Sequence, residues 1–103
     1  MKLVLLIVQT KDAKALQKGL VENKFQSTRL TSSGGFLREG NATYMLGVDD
    51  DRLEDLFEVV KENCKTRTEL INVGSIDMPY QPLEVRVGGA VCFVLEMERM
   101  ERF

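Results

Sequence analysis

The segment of this chain best suited to chemistry runs from residue 31 to residue 43 and reads TSSGGFLREGNAT. The glycines at 34–35 allow backbone N–H groups to approach an anion closely. Phe36 offers an aromatic face on which a base can stack. Arg38 supplies a charged fork, and the amide of Asn41 both donates and accepts hydrogen bonds. The segment therefore suits a phosphate or a nucleotide, and the competing interpretation is a plain turn between two strands.

The spacing of the glycines differs from the common phosphate-binding loops. No Gly-Lys-Ser/Thr follows them and no helix is predicted to begin there, as a Walker A loop requires. The spacing also departs from G-x-G-x-x-G, and a strand is predicted to follow. Composition alone therefore favours the turn over the site.

Catalytic and metal-binding chemistry has little support elsewhere in the chain. The sequence contains no histidine, which removes the commonest general base and the commonest metal ligand. Three consecutive acids, Asp49 to Asp51, are explained more simply as a helix cap than as a divalent-metal site. Cys64 and Cys92 lie far apart within apolar patterns and are predicted to be buried free thiols. We predict no catalytic residues, no metal, no cofactor and no enzymatic activity.

Composition is ordinary for a soluble globular protein. The chain has 103 residues, of which 44% are hydrophobic and 29% charged, so a single domain over residues 1–103 is predicted. The net charge of −2 argues against binding of nucleic acid polymers, which needs clustered positive charge. The longest apolar run, Leu3 to Val8, is too short for a membrane span and lacks a signal-peptide cleavage site after it. A cytoplasmic location is expected.

Hydrophobic periodicity predicts the elements around these residues. Leu3 to Val8 is apolar on both faces, as in a central strand. Ala13, Leu16, Leu20 and Val21 follow helical spacing. A second helix has a clean apolar stripe, and Asp51 and Glu54 stand at capping-box spacing before it. The members of that stripe are Leu53, Leu56, Phe57, Val60 and Cys64.

Further strands are predicted over 26–31, 43–48, 83–87 and 90–97, with a long connection over 66–82. The resulting order, β-α-β-β-α-β, is that of an α+β ferredoxin-like domain. Two helices cover only one face of such a sheet, yet the first and last strands are apolar on both faces. Because a large apolar surface is rarely left in water, a homo-oligomer is predicted.

The residues at 33–43 also resemble a family signature. Ser-Gly-Gly-Phe-Leu-Arg-Glu-Gly-Asn-Ala-Thr is similar to the TGGFLRxGNxT segment of PII-like cyclic-di-AMP receptors, which are small trimeric signal-transduction proteins. The similarity extends over nearly the whole chain, through LIVQ, LVENKF, GVDDDRL and VRVGGAVCFV. Such an ordered set is far more specific than one pair of glycines.

The resemblance implies a homotrimer with cyclic-di-AMP in each cleft between subunits. It implies that Phe36 and Leu37 hold an adenine and that Thr28 and Asn41 make polar contacts, while Arg38 matches the motif with a binding or a structural role. Ligand binding would rearrange loops and change the choice of an unidentified protein partner. The residues carried over to this pocket are Thr28, Gly35, Phe36, Leu37, Arg38, Asn41, Gly47 and Phe93.

The sequence departs from the family pattern in several places: residues 24–28 read Lys-Phe-Gln-Ser-Thr where Asn-Phe-Arg-Ala-Thr is usual, and the connection over 66–82 is shorter than usual. Gln26 stands where an Arg that holds a phosphate is usual, and Arg102 stands where a Gln is usual. Lys24 has the strand parity and length to supply the charge at position 26, whereas Arg29 is predicted to point to the opposite face. These departures motivate an alternative: a diverged PII-like interaction module that senses another nucleotide or none and docks a partner through residues 66–82. A small phosphohydrolase on the same scaffold is a third, weaker hypothesis.

Overall fold

The computed structural model of the chain describes residues 1–30, 40–87 and 89–103. The described residues form an α+β structure with antiparallel sheets, which confirms the predicted fold class. Its elements are β1 (Lys2–Gln9), α1 (Thr10–Glu22), β2 (Thr28–Leu30), β3 (Asn41–Val48), a 3-10 turn (Asp50–Arg52), α2 (Leu53–Asn63), β4 (Arg67–Asn72), β5 (Pro82–Val87) and β6 (Ala90–Glu96).

The main sheet has four strands in the order β2-β3-β1-β6, which is the ferredoxin-like arrangement. Its register aligns residues from all four strands in one row. Thr28 lies opposite Met45, Met45 opposite Leu5, and Leu5 opposite Phe93. Because side chains alternate between the faces of a strand, this row lies on one face of the sheet.

The hydrophobic core lies between the other face and the two helices. Alternate residues of β1 and β3 point into it, including Val4, Leu6 and Tyr44, and Leu16 of α1 and Leu56 of α2 meet them. These side chains are almost fully buried, and the Tyr44 hydroxyl donates to the carbonyl oxygen of Ala13 at 3.5 Å. The periodic helices predicted from the sequence are the ones that build this core.

The face without helices is apolar and partly exposed. Met45, Phe93 and Leu95 keep 38%, 38% and 46% of their surface accessible. We call the surface formed by Leu3, Leu5, Met45, Phe93 and Leu95 the open face. It corresponds to the uncovered face that the β1 and β6 patterns predict.

The start of the second helix differs from the prediction. Asp51 does not form a capping box, because a 3-10 turn precedes α2 and neither cap residue makes a side-chain hydrogen bond. The amide of Arg52 instead donates to the carbonyl oxygen of Asp49 at 2.9 Å. The amino-terminal ammonium lies 2.9 Å from the carboxylate of Asp50 and lowers the pKa of that group.

The predicted connection over 66–82 is partly wrong, because β4 occupies residues 67–72 and pairs with β5 as a separate hairpin. Leu70 of β4 is 65% exposed, and it is followed directly by Ile71, so the sequence of this strand lacks the alternation of a half-buried strand. The loop at its tip is internally hydrogen-bonded. The side-chain oxygen of Asn72 accepts from the amides of Gly74 at 2.9 Å and Gln81 at 3.0 Å.

Candidate functional site

A groove of about 990 Å³ lies at one end of the main sheet. Its walls are the segment between α1 and β2, the ends of β1 and β3, and the tail that follows β6. A groove of this size is large enough for a small organic ligand. Thr28 and Gly47, two of the residues predicted for binding, both line it.

The missing side chain of Gly47 makes room for the tail. A Cβ atom at this position would lie 3.3 Å from Cε of Met97 and 3.7 Å from Sδ of Met100. Both methionines line the groove together with Leu3 and Met45. One wall is therefore apolar and is made of adaptable side chains, which suits a flat apolar group such as a base.

The opposite wall of the groove is formed by the segment that follows α1, and the end of that helix determines the direction of the segment. The amide of Lys24 donates to the carbonyl oxygen of Val21 at 3.0 Å, and that of Phe25 donates to Leu20 at 2.8 Å. This pair of bonds is a Schellman motif, and Lys24 takes its left-handed position with φ of 61°. The motif turns the chain so that residues 24–28 run along the groove.

Phe25 and Arg52 anchor that turn to the second helix. Phe25 is 7% exposed, and the guanidinium of Arg52 lies 4.1 Å from the centre of its ring. Nη2 of Arg52 also donates to the carbonyl oxygen of Asn23 at 2.9 Å. The start of the groove wall is thereby fixed to both helices.

The tail contributes the remaining side of the groove. The tail is held at its start by a backbone hydrogen bond, in which the amide of Met97 donates to the carbonyl oxygen of Met1 at 3.3 Å. Further on, Nη2 of Arg102 donates to Oε1 of Gln26 at 3.2 Å, joining residues 76 positions apart. The sequence marks Arg102 only as a departure from the family pattern and predicts no role for the tail. The spacing of Met97 and Met100 within the tail is a second, weak signal.

The groove is electropositive although the protein carries a net charge of −2. Its described lining includes Lys24 and Arg102 and contains no carboxylate. Gln26, Ser27 and Thr28 add neutral hydrogen-bonding side chains. The combination of positive charge with apolar walls suits an anion that carries an apolar group.

The other predicted site residues are not gathered in this groove. Phe93 shares the cross-strand row of Thr28 but lies three strand spacings away, about 14 Å. Asn41 stands opposite Gln9 at the far end of β3, about 20 Å from Gly47. Gly35, Phe36, Leu37 and Arg38 lie outside the described residues. Within one chain, the described residues therefore form only part of the predicted pocket.

Gln9 was not predicted as a site residue. Its side chain is 1% exposed, and neither its Oε1 nor its Nε2 has a hydrogen-bond partner among the described residues. A buried amide without a partner costs free energy, so Gln9 is an unusual residue beside Asn41. The sequence contains only a weak signal, a polar residue directly after the apolar run of β1.

The two cysteine thiols are weak nucleophiles, because a thiol reacts as its thiolate. Both cysteines are free, as predicted, but only Cys64 is buried as predicted, and Cys92 is half-buried. Burial raises the pKa of Cys64 to about 12 and also raises the pKa of Cys92.

Arg29 lies 6.0 Å from the ring centre of Tyr44, on the helix side of the sheet, as its strand parity predicts.

The described ranges contain neither a cluster of metal-binding side chains nor a helix suited to a membrane. No three of their histidine, cysteine and acidic side chains are grouped closely enough to hold a metal ion. Neither helix within them has the length and apolar character needed to cross a bilayer.

Comparison with known proteins gives matches along the whole chain. Residues 1–103 match the sequence profile of a family described as cyclic-di-AMP receptor. The chain is also similar to a crystal structure of a functionally unknown protein from Pediococcus pentosaceus. That similarity has a TM-score of 0.76 and 37% sequence identity, and it covers 99% of this chain and 96% of the other.

Proposed function

The chain belongs to the cyclic-di-AMP receptor family, and from this premise we propose that it is a non-enzymatic sensor that binds cyclic-di-AMP in the cytoplasm. The observation that carries the proposal is the electropositive groove beside Thr28 and Gly47. Its cations match the phosphates of a cyclic dinucleotide, and its methionine wall matches an adenine. Nucleotide sensing needs binding only and requires no catalytic group in the groove.

We further propose that the working assembly is a homotrimer with the ligand in the clefts between subunits. The support is the distribution of the predicted residues. Thr28 and Phe93 are about 14 Å apart across the open face of one chain. A second copy packed on that face brings its own Phe93 toward the groove and also covers the exposed Met45 and Leu95.

The β4–β5 hairpin is the surface proposed for a protein partner. Its exposed apolar side chains include Leu70 at 65%, Ile76 at 100% and Tyr80 at 74%. Aromatic and aliphatic side chains of this kind are common at the centre of protein interfaces. In this proposal, ligand binding rearranges the loops and alters how the partner docks.

Isothermal titration calorimetry tests the binding proposal with cyclic-di-AMP, cyclic-di-GMP, ATP and AMP. The expected result is one cyclic-di-AMP per protomer, with weaker or no binding of the other nucleotides. Sedimentation equilibrium of the same sample should give the mass of three protomers. No heat from cyclic-di-AMP at high micromolar concentration would overturn the ligand assignment and leave the fold unaffected.

The hairpin also favours the second candidate, an interaction module that senses another nucleotide or none. A double variant, Ile76→Asp with Tyr80→Asp, removes apolar surface from the hairpin without touching the groove. Pull-downs from the source cell with the original protein and this variant, each with and without nucleotide, separate the candidates. A partner that needs the hairpin but is indifferent to every nucleotide would support the second candidate over the first.

A further inference from the structure

We propose that Gln9, at the end of β1, is a positioning residue, which accepts a hydrogen bond from the side-chain amide of Asn41 when a purine base is bound. The inference rests on the proposed nucleotide-sensing function and deepens it. Asn41 directly follows the glycine-rich segment that the sequence marks for ligand binding. Gln9 would orient that side chain without touching the ligand itself.

The side chain of Gln9 is buried and has no hydrogen bond. It is 1% exposed, and among the described residues it is the only buried one with an amide or a charged side chain. Neither Oε1 nor Nε2 has a partner within the described part of the chain. Gln9 is the cap residue of α1, yet it makes no side-chain cap hydrogen bond. Its donors and its acceptor are therefore available to another group.

Other side-chain amides of the chain do have partners. Nδ2 of Asn23 and Nδ2 of Asn63 each donate to a backbone carbonyl oxygen four residues earlier, at 2.8 Å and 2.7 Å. The side chain of Asn72 both donates and accepts. A buried polar group without a partner costs free energy, and in a native protein it calls for an explanation. The cost at Gln9 is explained if its partner is present only in the bound state.

Asn41 lies beside Gln9 on the neighbouring strand. The two residues form the last pair of the register between β1 and β3, so both side chains are on the same face of the sheet. In such a pair the Cβ atoms are about 4.5–5.5 Å apart. The backbone next to them is fixed, because the amide of Thr10 donates to the carbonyl oxygen of Gly40 at 2.8 Å. Rotation of the side chains alone can therefore join the two amides.

The exposure of the two side chains gives them different roles. Asn41 is only partly buried, so a ligand at this end of the sheet can contact it. Gln9 is out of reach of solvent, and its effect on a ligand must pass through a neighbour. This difference makes Asn41 the contact residue and Gln9 the residue that orients it.

A pair of amides suits the recognition of a purine. When Oε1 of Gln9 accepts from one N–H of Asn41, the second N–H and Oδ1 of Asn41 remain for the ligand. They form an adjacent donor and acceptor, which match N7 and the N6 amino group of adenine. The bond to Gln9 opposes rotation of the Asn41 amide out of this orientation. It also gives the buried acceptor of Gln9 a partner, so ligand binding removes part of the cost present in the free protein.

Two measurements on Gln9→Leu should move in different directions. Leucine is similar in size and has no polar atoms, so the free energy of unfolding without ligand should stay the same or rise. The affinity for cyclic-di-AMP in calorimetry should fall about 3- to 10-fold, the effect of losing one neutral hydrogen bond. Unchanged affinity would overturn the inference. A variant that loses both stability and affinity would identify Gln9 as a structural residue and would overturn it as well.

Ile7→Val is the matched control for this comparison. Ile7 lies two residues earlier in β1, so it is on the same face as Gln9, and it is 9% exposed. Removal of one buried methylene should lower the free energy of unfolding and leave the affinity for cyclic-di-AMP unchanged. The expected signature of this variant is thus the reverse of that of Gln9→Leu.

A double-mutant cycle tests whether Gln9 acts through Asn41. Asn41→Ala should weaken binding of cyclic-di-AMP, and the addition of Gln9→Leu to that variant should cause no further loss, since the two residues act as one unit. If Gln9→Leu weakened binding equally in the presence and absence of the Asn41 side chain, Gln9 would act independently and the inference would be wrong.

A measurement with AMP separates this inference from the proposed ligand. The side-chain NH₂ resonances of Asn41, assigned by their loss in Asn41→Ala, are followed in ¹⁵N-labelled protein as AMP or cyclic-di-AMP is added. A saturable shift of both protons, with one of the two shifts missing in Gln9→Leu, supports the inference even where cyclic-di-AMP gives no heat. Identical shifts in Gln9→Leu and the original protein, or no shift with either nucleotide, overturn it whatever the calorimetry shows.

Discussion

The guanidinium of Arg52 lies 4.1 Å from the centre of the Phe25 ring and donates to the carbonyl oxygen of Asn23 at 2.9 Å. Arg52 precedes α2, whereas Asn23 is the cap of α1. One side chain thus joins the end of the first helix to the beginning of the second. It also supports the turn from which Lys24 and Gln26 reach the groove.

Arg52→Ala is expected to lower the free energy of unfolding by about 1–2 kcal/mol, because it removes a cation–π contact and a hydrogen bond to a helix end. Urea denaturation followed by circular dichroism measures the change. Arg52→Lys keeps the charge but loses the planar stacking. Its free energy of unfolding should therefore lie between those of Arg52→Ala and the original protein. Unchanged stability in the alanine variant would show that the contact contributes nothing.

Gly74→Ala is expected to disrupt the tip of the hairpin and leave the main sheet intact. A Cβ at this position would lie 2.3 Å from the carbonyl oxygen of Met78 and 2.7 Å from that of Pro79, so the backbone must move. Hydrogen exchange should show lost protection at residues 73–81, with β1 and β3 unchanged. Gly47→Ala is a useful comparison, because its nearest obstacle is only the flexible end of Met97. Equal protection at the hairpin tip in Gly74→Ala and the original protein would contradict this prediction.

Leu95→Glu is expected to reduce the proposed trimer to smaller species. Leu95 is 46% exposed on the open face, and a charge there would be costly to bury between subunits. Sedimentation velocity should show a lower mass for this variant. Leu70→Glu is the matched control, since Leu70 is 65% exposed on the separate hairpin. A Leu95→Glu sample that sediments like the original protein would argue against packing through this face.

Cys64 should make the protein less stable at alkaline pH. Burial raises its pKa from 9.0 to about 12, so between these values the unfolded chain releases a proton that the folded chain keeps. Stability from this group is complete below pH 9 and is lost as pH rises toward 12, with a slope of up to about 1.4 kcal/mol per pH unit. Urea titrations at pH 8 to 10.5 should therefore show that the free energy of unfolding declines less steeply with pH in Cys64→Ala than in the original protein. If the free energy of unfolding fell equally with pH in both proteins, ionisation of this thiol would not be the cause of the lower stability at alkaline pH.

The sequence was most informative where a pattern reflects burial. Leu56 and Val60 of α2 and Val4 and Leu6 of β1 are periodic because one side of each element meets the core. Strand β4 was missed for the opposite reason, although its partner β5 was predicted. Leu70 is exposed, and the adjacent apolar residues Leu70 and Ile71 do not alternate with polar ones, so β4 leaves no periodic signal. The capping box at Asp51 failed because a backbone bond within the 3-10 turn replaced the side-chain cap.

Local sequence determined the helices, the central strands, the apolar open face and the family, since each of these depends on short-range patterns or on residue order. Only the tertiary structure decided what the tail does. Arg102 and Gln26 are 76 positions apart, and neither residue type nor spacing relates them. They meet because β6 pairs with β1 in the main sheet and delivers the tail to the wall that the end of α1 provides. The groove is therefore a product of strand order, which no local pattern encodes.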